Sequence, residues 1–235
     1  MWLLTMLTAA IAPGIALLAY FYLKDRYDAE PIHMVARMFV VGALIVLPIV
    51  IIQRGVTLGL GESPFVQAFL VSAGIEEAMK WFVLYHMIYN HTEFDEPYDG
   101  IVYAAAVSLG FATLENVLYA LLMPATFASL IMRALLPVSG HALFGVVMGY
   151  YIGKAKFAAG KPGKYLAASF LLPLFWHGAF DYILLVFKHY WMLLIAPLMA
   201  YLWFRGGLKI RRANERSPFR SIPREDEIKM QRIRP

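Results

Sequence analysis

Long apolar runs separated by short polar connections dominate this chain. A helix needs about 20 mostly apolar residues to cross a bilayer core. Runs of that kind fall at 2–23, 33–52, 65–89, 101–122, 134–152, 165–187 and 190–204. The last is short and contains Pro197, so the count is seven spans, or six without it. The pattern predicts an all-α fold, a polytopic transmembrane helix bundle. The first run has no Lys or Arg ahead of it and carries Pro13 and Gly14 in its middle. It lacks the basic start of a signal peptide and is expected to be retained.

Lys and Arg in the connections predict the orientation. The segment after the first run holds Lys24 and Arg26, and Arg37 is close enough to the start of the next run to snorkel to that side. The one after the fifth holds Lys154, Lys156, Lys161 and Lys164. With seven spans these lie on one side together with the basic C-terminal segment. The opposite side carries only Arg54, Arg133 and Lys188 in its connections. Cytoplasmic loops are the basic ones, which predicts an N-terminus outside and a C-terminus in the cytoplasm. The acidic loop from His91 to Asp99 falls on the cytoplasmic side, but acidic residues weigh little in this rule.

Composition changes the picture at two points. The chain is 60% hydrophobic and 16% charged, against about 45–50% and about 25% for soluble domains. That excludes an ordinary soluble enzyme and a disordered regulator, and places the protein in the cell membrane with the lipid bilayer as its surroundings. The net charge of +5 looks like a nucleic-acid signal until it is located. Residues 205–235 hold ten Lys or Arg against four acids, so the remaining 204 residues sum to −1. The chain therefore divides into one transmembrane domain, 1–204, and a basic cytoplasmic tail, 205–235, expected to be disordered and attracted to anionic lipid. No nucleic-acid partner is implied. The absence of cysteine excludes disulfides, thiol catalysis and thiolate metal sites.

The chemistry sits where the bilayer makes it expensive. Run three contains Glu76, Glu77 and Lys80, and run four contains Glu115 and Asn116. Run five contains His141, and run six contains His177 and Asp181. Unpaired, these groups would cost on the order of 10 kcal/mol, and ionisable groups at membrane depth face a protein interior or water. A shared polar interior site in the outer half of the membrane is expected. Glu76 and Lys80 are four apart and can pair. Glu77 is rotated about 100° from Glu76, so the two are expected to point different ways. His177 and Asp181 share a face, which lets the carboxylate orient the imidazole. His141, Gly145, Gly149 and Gly153 form one stripe, which predicts close approach of another helix or of an extended peptide. Structural readings stand beside these. Glu76–Lys80 can be an ion pair only, Glu115–Asn116 an interhelical clamp, and His141 a satisfied core histidine.

Buried carboxylates with histidines can activate water and stabilise an oxyanion, so peptide-bond hydrolysis in or near the membrane fits. Ser139 turns away from His141 on a helix, which weakens a serine mechanism. Two rivals of other classes are a proton- or cation-coupled transporter using the same acids and a non-catalytic membrane scaffold. No inverted repeat of the kind transporters carry is visible.

The same residues resemble a known family. Glu76-Glu77-x-x-Lys80, Phe111-Ala112-x-x-Glu115-Asn116 and His177-x-x-x-Asp181 occur in order. They are joined by Tyr20 to Asp25, Tyr98 to Tyr103, and Arg133 to Ser139 with His141. Over almost the whole chain the sequence resembles the PrsW family of bacterial membrane proteases, relatives of the CAAX-prenyl and bacteriocin-processing enzymes. The prenyl proteases carry Arg where this chain has Lys80, and commonly Asn where it has Asp181, which argues against a prenylated substrate. The resemblance implies a first, site-1 cut in a single-span anti-sigma factor on its extracytoplasmic side. A later intramembrane cut then releases a sigma factor in a stress response. It further implies Glu76 or Glu77 as the base that activates water, and His141 as an assistant on that water. His177 would polarise the carbonyl with Asp181 orienting it, and Lys80, Glu115 and Asn116 would line the site. The family has been viewed as glutamate-based, requiring no metal, and as metal-dependent. Glu, His and Asp suit zinc as well as acid–base work, and both alternatives stay open here.

Overall fold

A computed structural model describes residues 2–158 and 160–221. Among them there is no strand. The helices are α1 (Trp2–Leu23), α2 (Ile32–Leu44), α3 (Val46–Leu60), α4 (Ala73–Met87), α5 (Asp99–Leu122), α6 (Phe127–Arg133), α7 (Ser139–Lys156), α8 (Pro162–Val186) and α9 (Trp191–Asn214). Two π-helical turns, Val66–Ser72 and Ala134–Val138, lead directly into α4 and α7. Six stretches are long and apolar enough to cross a membrane: Leu3–Leu23, Ile32–Leu60, Asp99–Leu122, Phe127–Lys156, Pro162–Val186 and Trp191–Asn214. The architecture is that of a multi-pass membrane protein.

A further helical run, 66–87, also extends between the two ends of the bundle, although it carries Glu76, Glu77 and Lys80. At its start, Gln67 donates to the Thr57 hydroxyl and the Gly61 carbonyl at the end of α3. The loop after it, 88–98, lies at the opposite end, where the Tyr98 hydroxyl donates to the Phe21 carbonyl of α1 at 2.8 Å. That end also gathers the last residues of α7 and α9. Lys156 donates to the His91 carbonyl and Asn214 to the Lys24 carbonyl.

Helix α5 is the axis of the bundle, buried without a break from Asp99 to Thr113. Lipid offers no hydrophobic drive for helices to associate, so close packing of small residues supplies the attraction. A Cβ on Gly149 would lie 2.0 Å from the Gly100 carbonyl oxygen, and one on Gly153 would lie 2.4 Å from that of Pro97. On the other flank, a Cβ on Gly42 would lie 2.1 Å from the Val107 carbonyl and one on Gly110 1.9 Å from that of Phe39. The glycine stripe of α7 therefore meets a helix, α5, rather than an extended peptide. Large apolar side chains such as Leu4, Ile51 and Leu193 point outward.

Three boundaries differ from those expected. The run placed at 33–52 extends from Ile32 to Leu60 and breaks at Ile45. Pro48 has no N–H and its ring crowds the carbonyl four residues back, which accounts for the break. Arg54 thus lies inside α3 and not in a connection. The run placed at 134–152 begins at Phe127, so Arg133 ends a helix rather than lying in a loop. The run placed at 190–204 continues to Asn214, where Lys209, Ala213 and Asn214 are buried. The part of the expected tail at 222–235 lies outside the described residues.

Candidate active site

Three helices bring the central groups together. Helix α4 supplies Glu76, Glu77 and Lys80, α7 supplies His141, and α8 supplies His177 and Asp181. Glu76, Glu77, His141 and His177 are all buried, and each offers a ligand atom within 4.8 Å of the others. The Lys80 ammonium lies 2.8 Å from Glu77 Oε1, 3.4 Å from Glu76 Oε2 and 3.2 Å from His141 Nδ1. An ammonium has no acceptor, so His141 Nδ1 accepts and Nε2 carries the proton. That nitrogen faces Glu115 Oε2 at 3.4 Å. His177 Nδ1 meets Glu77 Oε1 at 2.9 Å, and its Nε2 lies 3.4 Å from Asp181 Oδ2 and 3.9 Å from Glu76 Oε2. Phe144 stacks on the His177 ring at 5.0 Å, and His141 stands edge-on to His177 at 5.0 Å. Both imidazoles are thus fixed by packing as well as by their hydrogen bonds.

The expectation that Glu76 and Glu77 point apart is corrected by this arrangement. They leave α4 in different directions, but Lys80 is one turn below both and His177 reaches across to both, so their carboxylates share one cluster. Asp181 reaches the cluster through His177, and Glu115 reaches it through His141. Asn116 does not touch it. Its amide donates to the Ala10 carbonyl of α1, and its oxygen accepts from Arg133 Nε at 2.8 Å. That is the interhelical clamp.

Three contributors escaped the sequence reading. Gln53 of α3 donates to Glu76 Oε1 at 3.1 Å. It stood just beyond the expected end of its span. Ser72 donates to Asp181 Oδ2 at 2.5 Å and lies 3.4 Å from Glu76 Oε1. Its place four residues before Glu76, on the same face, was the available signal. Arg133 lies 3.5 Å from Glu115; the sequence marks it as a charge in a connection and as the start of a family motif, neither of which points to Glu115.

The two π-helical turns sit immediately ahead of this chemistry, where such irregularities often mark functional sites. In the second, Pro137 cannot donate and would crowd a regular α-turn. The Ser139 hydroxyl donates to the Leu135 carbonyl there.

The donor chemistry admits a metal ion. Two carboxylates and two imidazoles converge, and Glu77 Oε2, wholly buried, has no hydrogen-bond partner. Comparison with known proteins points the same way. A family model described as "PrsW family intramembrane metalloprotease" matches residues 30–204, which include every one of these groups. The chain belongs to the PrsW family. It is 52% identical over 220 residues to Protease PrsW of Geobacillus kaustophilus, covering 93% of this chain and 96% of the relative. It is 50% identical over 209 residues to Protease PrsW of Bacillus subtilis, covering 88% and 94%. To Protease PrsW of Halalkalibacterium halodurans it is 41% identical over 212 residues, covering 90% and 98%. No solved structure matches. Membership of the PrsW family makes the chain a membrane peptidase, in accord with its apolar helices and with a buried Glu/His cluster able to hold a metal.

Proposed function

We propose that the Glu76–Glu77–His141–His177 cluster is the catalytic centre, where a peptide bond of a single-span protein is hydrolysed. The observation that carries this reading is the convergence of two buried carboxylates and two buried imidazoles from three helices. Glu76 is the base. Its carboxylate neighbours Ser72 and Asp181, whose side chain is 22% exposed, whereas Glu77 is closed off. Glu76 takes the proton of a water as the oxygen attacks the carbonyl carbon, and returns it to the amine that leaves. Glu77 holds His177 and Lys80 in place. His177, oriented by Glu77 and Asp181, donates to the oxygen that gains charge, and His141, with Glu115 behind it, steadies the water.

Glu76, Glu77, His141 and His177 are the residues that would hold a zinc-class ion. Such an ion, when bound, supplies Lewis acidity to a water or carbonyl oxygen. Lys80 is the cation these donors share here, so metal binding requires its ammonium to turn away from Glu77 Oε1 and His141 Nδ1. The substrate that fits the family resemblance is an anti-sigma factor, cut first on its extracytoplasmic side. The N-terminus is outside and the C-terminal segment is cytoplasmic.

Purified full-length protein with a single-span anti-sigma substrate tests the reading. Glu76→Gln is expected to lower the cleavage rate by about 10²–10⁴, the range for loss of a positioned base. Full activity of both Glu76→Gln and Glu77→Gln, correctly folded, would overturn the assignment of this cluster as the catalytic centre. Loss of activity with a strong chelator and recovery with zinc would establish the metal.

A further inference from the structure

A second polar cluster lies at the end of the bundle away from the catalytic groups, and nothing in the proposed reaction uses it. Asp25 comes from the loop after α1, Glu30 from just before α2, Glu96 from the loop before α5, and Asp99 from the first residue of α5. Asp99 and Glu115 are sixteen residues apart on one helix, about 24 Å at 1.5 Å per residue. Asp25, Glu96 and Asp99 each offer an oxygen within 4.8 Å of the others. Glu30 accepts from the Tyr103 hydroxyl, and Asp99 Oδ2 accepts from the Asp95 and Glu96 amides at 2.9 and 2.7 Å.

Glu96 is the second, separate observation. It is 0% exposed, and neither of its carboxylate oxygens has a hydrogen-bond partner. Both oxygens of Asp25 and Oδ1 of Asp99 are equally without one. Among the described residues, no ion pair reaches any of these acids. The nearby ammonium, Lys156, donates instead to the His91 carbonyl and lies over the Phe94 ring. A buried carboxylate left without a donor or counter-charge is costly. Burial, reinforced by the neighbouring Glu96 carboxyl, accordingly pushes Asp25 up to about 9. Three converging carboxylates without imidazole or thiolate are the donor set of a hard cation.

We propose that Asp25, Glu96 and Asp99 bind a hard divalent cation of the Mg²⁺/Ca²⁺ class, which ties the loop after α1 to the loop before α5. The site is chemically distinct from the histidine-containing cluster, so a chelator acts on the protein at two places.

Thermal unfolding of the full-length protein in detergent, in chelator or in millimolar Ca²⁺ or Mg²⁺ at matched ionic strength, tests this. A cation at a hundredfold excess over its dissociation constant is expected to raise Tm by roughly 5–10 °C. The shift should persist in Glu77→Gln, which disables the other cluster, and vanish in Glu96→Gln and in Asp25→Asn. Tb³⁺ supplies a reading that needs no variant. Its tyrosine-sensitised emission, from Tyr98 and Tyr103 beside the site, should appear in the wild-type protein and be displaced by Ca²⁺ but not by equimolar Zn²⁺. Absence of both the Tm shift and the Tb³⁺ emission, or a shift that survives in the two acid variants, overturns the proposal and leaves a cluster neutralised by protons.

Discussion

Glu77 carries two charged contacts on one oxygen, Lys80 at 2.8 Å and His177 at 2.9 Å, whereas the shortest contact of Glu76 is the 3.1 Å bond from Gln53. The two neighbours should therefore behave differently. Glu77→Gln removes a buried counter-charge and is expected to destabilise the protein by about 3–5 kcal/mol as well as abolish cleavage. Glu76→Gln should lower the cleavage rate by roughly the same 10²–10⁴ with a smaller loss of stability. Unfolding midpoints and cleavage rates measured on the same preparations separate the two, and equal destabilisation would contradict the division of roles. At this scale the sequence was informative about identity and poor about direction. Charge in an apolar run singled out each member, because the bilayer makes such residues rare. Whether Glu76 and Glu77 converge depends on where Lys80 and a histidine a hundred residues away place their nitrogens, which no periodicity along α4 contains.

Glycines divide into those that a neighbouring backbone requires and those that it does not. A Cβ on Gly149 would lie 2.0 Å from a carbonyl oxygen of α5, while nothing stands within 4 Å of one on Gly207 in α9. Gly149→Ala is expected to cost about 1–3 kcal/mol or more by overpacking. Gly207→Ala should gain roughly 0.5–1 kcal/mol by reducing the freedom of the unfolded chain. Unfolding midpoints of the two variants check the contrast, and a neutral Gly149→Ala would show that α5 and α7 can part without cost. The small-residue stripe of α7 was legible from spacing alone, and its partner was not. The extent of α9 is hidden in the sequence because Arg205 and the charges after it resemble a solvated tail, while the buried faces of Lys209, Ala213 and Asn214 continue the helix.

Across the whole molecule, polar chemistry separates to two ends. The Glu/His cluster and both π-turns lie toward the end of α3, and the acidic cluster lies with the ends of α1, α7 and α9. A chain without cysteine allows a direct check of the orientation we propose, since one introduced thiol labels alone. Thr92→Cys should react with an impermeant maleimide only after the membrane is opened, and Glu62→Cys should react in intact cells. The reverse pattern would turn the N-terminus inward and move the cut to the cytoplasmic side. The sequence by itself determined the helical, membrane-spanning class, because hydrocarbon leaves the backbone few ways to satisfy its own hydrogen bonds. It also singled out the buried acids and histidines of the Glu/His cluster, because each pays to be at membrane depth. Only the tertiary structure decided that Asn116 clamps α1 to Arg133, that Gln53, Ser72 and Arg133 border the Glu/His cluster and its flanking acids, and that Asp25, Glu96 and Asp99 meet. Those pairings span long stretches of sequence, and side-chain contact between distant helices follows from packing rather than from local pattern.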